Sequence, residues 1–220
     1  MSVAPLATRP LPPLRGRIGL DARSGHYAVP RRYRLYLSTA CPDGLRLAVT
    51  HALLGLDAVL PVTWLPAEPD LPDGGHSRLL PLYEASAHHH PGPAAAPVLA
   101  DDWSGRVVST HAQDIMRDLA RCFGAGRPSL YPCGAEQEIA AVRQLCARVR
   151  QDGSAAALDE LEERLRHNTS GCLVGRHITA ADIELWVTLA PGDVPGRPAL
   201  AAYLRRLSAH AAFGPWADRG

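Results

Sequence analysis

Apolar and polar positions alternate through Tyr33-Arg34-Leu35-Tyr36-Leu37-Ser38, the period of a strand with one buried face. A Cys41-Pro42 step follows, and Leu45, Val49 and Leu53 then recur every four residues, marking one face of a helix. Proline suits the first helical position, because its missing N–H would find no intrahelical partner there. Gly55 marks the helix end, and Ala58-Val59-Leu60-Pro61-Val62-Thr63-Trp64 predicts a second strand. Leu65 to Pro93 is a loop dense in Pro, Gly and Asp, with one short helix around Leu79 to Ala87. Strand pattern resumes at Pro97-Val98-Leu99 and at Arg106-Val107-Val108, with Asp101 to Gly105 as the hairpin turn. A helix over His111 to Arg121 turns Ile115 and Leu119 inward. This order describes a small mixed sheet that opens with a parallel βαβ unit.

Beyond Phe123-Gly124-Ala125-Gly126-Arg127-Pro128 the period changes to that of helices alone. Ile139, Val142, Cys146 and Val149 step by three, four and three. Leu158, Leu161 and Leu165 mark a second helix, on which Glu162 and Arg166 are spaced for an ion pair. In Ile178-Thr179-Ala180-Ala181-Asp182, Thr179 is placed to cap a third helix with Asp182 reciprocating, and Ile178 to staple onto Ile183. Leu200, Leu204 and Leu207 line a last one. The expected organisation is an irregular Pro-, Gly- and Arg-rich arm over residues 1–30, an α/β domain over 31–124 and an all-helical domain over 125–220.

Composition narrows the chemistry. The 220 residues carry 23 basic and 22 acidic side chains, a net charge of +1, so the field expected of a nucleic-acid or anionic-membrane binder is missing. No apolar run approaches the length of a membrane span. Met1 to Pro13 has prolines where a signal peptide needs an apolar core, which predicts a cytoplasmic protein. All basic residues are arginines, as a GC-rich genome tends to give, and without lysine neither Schiff-base nor P-loop chemistry is open. The five cysteines never form a C-x-x-C pair, so reduced thiols are expected rather than a zinc knuckle or disulfide scaffold. His88-His89-His90 reads as a solvated loop, with no carboxylate at metal-ligand spacing, and no metal is expected. Trp103, Trp186 and Trp216 read as packing residues.

Cys41 carries the candidate chemistry. At a strand-to-helix turn a sulfur lies among free N–H groups at the positive end of the helix dipole, a place that favours thiolate. Cys122, Cys133, Cys146 and Cys172 fall on apolar faces or connections and read as core. Ala96-Pro97 opens a strand directly after a loop, where a proline can be cis and present backbone groups beside a neighbouring helix start. Cys41-Pro42, Ala96-Pro97 and the strand order together describe a thioredoxin-like fold.

With an all-helical second domain, the whole resembles the glutathione transferases. Gly175 to Ile183, with Thr179 and Asp182 inside it, is similar to the buried capping motif of that superfamily. Within it the chain is most similar to the Xi class, the glutathionyl-hydroquinone reductases, through Tyr33-Arg34-Leu35-Tyr36-Leu37-Ser38-Thr39-Ala40-Cys41-Pro42-Asp43-Gly44-Leu45-Arg46. Leu82-Tyr83-Glu84, Ala96-Pro97-Val98-Leu99, Leu130-Tyr131-Pro132 and Leu158-Asp159-Glu160-Leu161-Glu162 continue the resemblance. It implies a thioredoxin-like domain followed by a helical bundle, a possible homodimer, and glutathione as co-substrate. It also implies Cys41 as a nucleophile that takes glutathione from a glutathionylated quinol, giving a mixed disulfide that a second glutathione resolves. Ala96, Pro97 and Val98 would bind the thiol's backbone, the amides after Pro42 would hold the thiolate, and Tyr131 would belong to the substrate pocket.

The chain departs from that pattern at three places. The family's Trp after Cys-Pro is Asp43 here, a carboxylate that opposes the helix dipole, while Arg46 one turn later offsets it. The family's Glu-Ser pair, which grips the γ-glutamyl end, is His111-Ala112, followed by Gln113; the helix start still suits a carboxylate. The segment before the last helix shrinks to Pro191-Gly192-Asp193-Val194-Pro195-Gly196. Three readings follow: a thiol-transfer enzyme acting on a small electrophile with glutathione or another small thiol such as mycothiol; a binding or accessory protein of the same fold, serving a biosynthetic pathway; and an enzyme using Asp43 and His111 as acid–base groups.

Overall fold

The computed structural model describes residues 14–87, 90–127, 129–168, 171–189 and 194–217. Two of the three histidines singled out above, His88 and His89, lie outside these residues, as do the first thirteen positions and Pro191 to Asp193. A four-stranded sheet has the order β2-β1-β3-β4, from β1 (Tyr33–Leu37), β2 (Val62–Trp64), β3 (Val98–Asp101) and β4 (Arg106–Ser109). β1 and β2 are parallel; β1–β3 and β3–β4 are antiparallel. Helix α1 (Pro42–Leu53) connects the parallel pair, α2 (Leu80–Ser86) precedes β3, and α3 (Ala112–Cys122) follows β4.

Alternation along the strands sorts the core into two layers. Tyr33, Leu35, Leu37, Leu99 and Val108 join α1 and α3 on one face. Tyr36, Val98, Ala100 and Val107 meet Leu79 and Tyr83 of the α2 region on the other. The second strand is shorter than its apolar run predicts. The Val59 and Leu60 amides donate to the Leu56 carbonyl in a turn after α1, so only Val62 onward is free to join the ladder.

The remaining helices are α4 (Glu136–Asp152), α5 (Ala155–His167), α6 (Ala180–Leu189) and α7 (Pro198–Ser208). α6 is buried along its whole length except at Thr188, and its apolar surround makes it the centre of the bundle. The cap that starts it is in place. Asp182 Oδ2 accepts from the Thr179 N–H at 2.6 Å and the Thr179 hydroxyl at 2.9 Å, while Oδ1 accepts from the Leu173 N–H at 3.0 Å and from the Tyr203 hydroxyl. One apolar cluster runs without a break from Leu35 in the sheet to Trp186 in α6 and Leu200 in α7. This is the thioredoxin-like-plus-helical architecture that the pattern predicts.

Several expectations are corrected. Glu162 does not pair with Arg166. It is buried and accepts from the Ala199 and Leu200 amides at 3.0 and 2.7 Å, capping α7, while Arg166 turns to Glu163. Cys133 is exposed rather than core. Trp103 stands exposed at the hairpin tip under the Arg32 guanidinium, 4.7 Å from its ring. The described part of the arm, of irregular backbone apart from the short turn Ala22–Ser24, packs against the sheet. The Gly16 N–H donates to the Val108 carbonyl at 2.7 Å, the Thr110 N–H donates to the Leu14 carbonyl, and Arg17 pairs with Asp118 on α3 at 2.6 Å. A side chain at Gly16 would sit 2.6 Å from the Val108 oxygen, so only glycine allows this approach.

Candidate active site

Cys41 is the N-cap of α1, with extended backbone, and its side chain takes no part in capping the helix. Proline fills the first helical position, so the amides of Asp43 and Gly44 are the first that α1 leaves without intrahelical partners. The turn is tight because a Cβ on Gly44 would lie 2.2 Å from the Ser38 carbonyl oxygen. A glycine here lets the helix start close against the end of β1. The half-buried Cys41 thiol faces the Ala96 carbonyl at 3.8 Å, and the Ala96–Pro97 peptide is cis. Pro97 and Val98 are themselves buried, so the Ala96 backbone is what this strand start presents to the sulfur.

Beside Cys41 opens a cavity of about 680 Å³. One wall is Cys41, Pro42, Asp43 and Arg46 of the α1 start, with Gln113 of α3. The opposite wall is one face of α4, carrying Ala140, Arg143, Gln144, Ala147 and Arg150, and Glu184 of α6 closes the floor. Charge organises that floor. Arg46 donates to both oxygens of Glu184 at 2.7 and 2.9 Å, and its remaining Nη1 donates to Asp43 at 2.7 Å. Arg150 holds Glu184 at 2.5 Å and the Thr188 hydroxyl at 2.9 Å. Burial pushes the Glu184 carboxyl up, but Arg46 and Arg150 outweigh it and hold it below its ordinary range. Burial likewise works against the Arg46 charge, and Glu184 and Asp43 keep it above its ordinary value.

The structure therefore brings together Cys41, Pro42, Asp43, Arg46 and Gln113, and sets Ala96 against the sulfur. Other expected positions fall elsewhere. Ala112 is 3% exposed and its methyl packs into the core. His111 lines no part of the cavity; its Nδ1 accepts from the Asp114 N–H at 3.3 Å and so caps α3. Tyr131 lies outside the lining as well. Its ring packs on the core with Arg117 5.2 Å from the centroid, and burial pushes its phenol up to about 12.

Glu184, Arg143, Gln144 and Arg150 were not anticipated. The α4 pattern drew attention to its apolar stripe, whereas the cavity uses the adjacent small-and-polar one at 140, 143, 147 and 150, about 100° further round the helix. For Glu184 the available signal was one carboxylate inside the apolar run Ile183-Glu184-Leu185-Trp186, a placement that needs a buried cation. Among the described residues no cluster of three or more His, Cys, Asp or Glu could hold a metal, and no helix is long and apolar enough to cross a membrane.

No family model matches the chain. It is 29% identical over 226 residues to the glutathionyl-hydroquinone reductase PcpF of Sphingobium chlorophenolicum, covering 87% of this chain and 72% of that one. It is 25% identical over 215 residues to the glutathionyl-hydroquinone reductase YqjG of Escherichia coli, covering 81% of this chain but 65% of that one, just under two thirds of its length. In fold it matches the Xi glutathione transferase ECM4 of Saccharomyces cerevisiae, solved in complex with glutathione, with a TM-score of 0.77, 19% identity, and coverage of 93% and 89% of the two chains. Sequence likeness to two reductases and a shared architecture make the chain similar to the Xi-class proteins of the glutathione transferase superfamily.

Proposed function

We propose that this protein is a glutathione-dependent reductase of small aromatic thioethers, with Cys41 as its nucleophile. The observation that carries the reading is the position of the sulfur, at the open N-terminus of α1, facing the Ala96 carbonyl, on the wall of a cavity sized for a small molecule. The names of the relatives supply the reaction class. Cys41 thiolate attacks the glutathione sulfur of an aryl thioether; the carbon–sulfur bond breaks, the ring carbon keeps the electron pair and takes a proton, and a Cys41–glutathione disulfide forms. A second glutathione thiolate attacks that disulfide and leaves as oxidised glutathione, returning Cys41. Two sulfurs are oxidised, that of the thioether and that of the second glutathione, and one aryl carbon is reduced, while Cys41 is restored.

In this reading the Ala96–Pro97–Val98 backbone binds the cysteinyl part of glutathione, and the Asp43 and Gly44 amides hold the thiolate. Gln113, which lines the cavity from the start of α3, would meet the γ-glutamyl carboxylate. Mycothiol is an alternative co-substrate, and a cytoplasmic setting and a homodimer belong to the same proposal. Cys41→Ser tests it. Turnover of a glutathionylated hydroquinone should fall more than roughly 10³-fold, as nucleophile replacements do; unchanged turnover removes the assignment.

A second reading, a binding or accessory protein without thiol chemistry, draws on His111, which caps α3 with its own side chain. Iodoacetamide separates the two. Cys41 labelling faster than the exposed Cys133 at neutral pH favours the enzyme, and equal or slower labelling favours the accessory role.

A further inference from the structure

Three guanidiniums line the Cys41 cavity, those of Arg46, Arg143 and Arg150, against two carboxylates, Asp43 and Glu184. Arg46 is committed to both carboxylates, and Arg150 to Glu184 and Thr188. The excess positive charge therefore sits on Arg143. That side chain is half-buried on the α4 wall, its Nε is buried with no acceptor, and it has no ion-pair partner among the described residues. Buried donors are ordinarily paired, so this one needs an explanation, and Arg143 itself is part of the cavity wall. Ala140 and Ala147 lie three residues before and four after it on the same face, and their small methyls leave the space around the guanidinium open. Gln144, its neighbour in the lining, adds an amide donor.

The Arg143 fork matches two coplanar oxygens, and one unbalanced charge suits a monoanion better than a phosphate dianion. We propose that Arg143 is the specificity-determining residue of this cavity, holding a carboxylate on the acceptor molecule whose other end meets Cys41. The proposal deepens the reductase reading and rests on it for the location of the acceptor. The same carboxylate chemistry has a second source, glutathione itself, which carries two. The two sources make different demands: an acceptor carboxylate makes the preference a property of the aromatic ligand, and a glutathione carboxylate makes it a property of the thiol.

The test is equilibrium binding by titration calorimetry, with 2,5-dihydroxybenzoate, its methyl ester and glutathione as probes, to the native chain, Arg143→Gln, Arg143→Lys and Cys41→Ser. The native chain should prefer the acid over the ester by at least about 10-fold, the span of a charged hydrogen bond. Arg143→Gln should abolish that preference, Arg143→Lys should keep part of it, and glutathione affinity should stay within about 2-fold in both Arg143 variants. Cys41→Ser should leave the acid preference intact. Loss of turnover chemistry at Cys41 and loss of anion recognition at Arg143 thus fail separately. The proposal is overturned if the native chain shows no acid preference, if Arg143→Gln retains it, or if Arg143→Gln weakens glutathione and leaves the acid-to-ester ratio unchanged.

Discussion

Arg46, one turn into the helix that begins at Cys41, holds both carboxylate oxygens of Glu184 at 2.7 and 2.9 Å, with side-chain exposures of 5% and 4%. The pair joins the start of the thioredoxin-like half to the central helix of the bundle. It thereby fixes the orientation of the α1 end that carries the sulfur against the α4 wall that carries Arg143.

Removing one partner of such a pair leaves a buried charge without compensation, at a cost of about 3–5 kcal/mol. Arg46→Met and Glu184→Gln should each lower stability by a figure of that order, Arg46→Met the more so because it also frees Asp43 and leaves Glu184 with Arg150 and the Gln113 amide as its remaining described partners. The double variant should cost less than the sum of the two singles. Urea denaturation of the four proteins gives the coupling directly.

Acid should destabilise the fold through the same group. Glu184, Asp101 and Asp114 all titrate below their ordinary range when folded, because of Arg46 and Arg150, of Arg32, and of Arg15 respectively. The unfolded chain therefore binds protons first as pH falls. Their contribution is complete above about pH 5, past the ordinary carboxylate values, and is lost progressively as pH drops through the folded values. Glu184→Gln should flatten the stability profile below pH 5 relative to the native chain. An unchanged slope contradicts the assignment.

The cap on α6 is the next place to cut. Asp182→Ala removes acceptors for the Thr179 amide and hydroxyl, the Leu173 amide and the Tyr203 hydroxyl at a fully buried site. Losing the cap and stranding those donors should cost at least about 2 kcal/mol, which for a chain of this size lowers Tm by roughly 4–8 °C. Differential scanning calorimetry reads it.

Gly16→Ala should detach the arm without disturbing the core, because the added methyl meets the Val108 carbonyl oxygen. Hydrogen exchange at Gly16 and Thr110 should rise sharply while exchange in β1 stays protected. Equal protection in both proteins contradicts the docked arm.

The architecture was legible where the period was long and the punctuation chemical. The βαβ opening, the hairpin after Pro97 and the Thr179–Asp182 cap each left a local signature in which residue type and spacing agree. The site was legible on its α1 side, where Cys41, Pro42, Asp43 and Arg46 are consecutive or one turn apart, and at Ala96 and Gln113, which the resemblance brought in. The other half comes from α4 and α6, about 100 and 140 residues further on, and nothing local in Arg143 or Glu184 says which cavity they face. Helix ends decided the rest. His111 and Glu162 both spend their side chains capping helices, a use that competes with the ion pair the spacing of Glu162 suggested and with the glutamyl-binding role the resemblance implied for His111.

The most direct measurement of the central claim is intact and peptide mass spectrometry after mixing the reduced protein with a glutathionylated hydroquinone and no free glutathione. The account predicts one glutathione in disulfide linkage at Cys41, with release of the free hydroquinone in equal amount, and neither in Cys41→Ser. Release of hydroquinone with Cys41 unmodified, or an adduct at another cysteine that survives in Cys41→Ser, would contradict it.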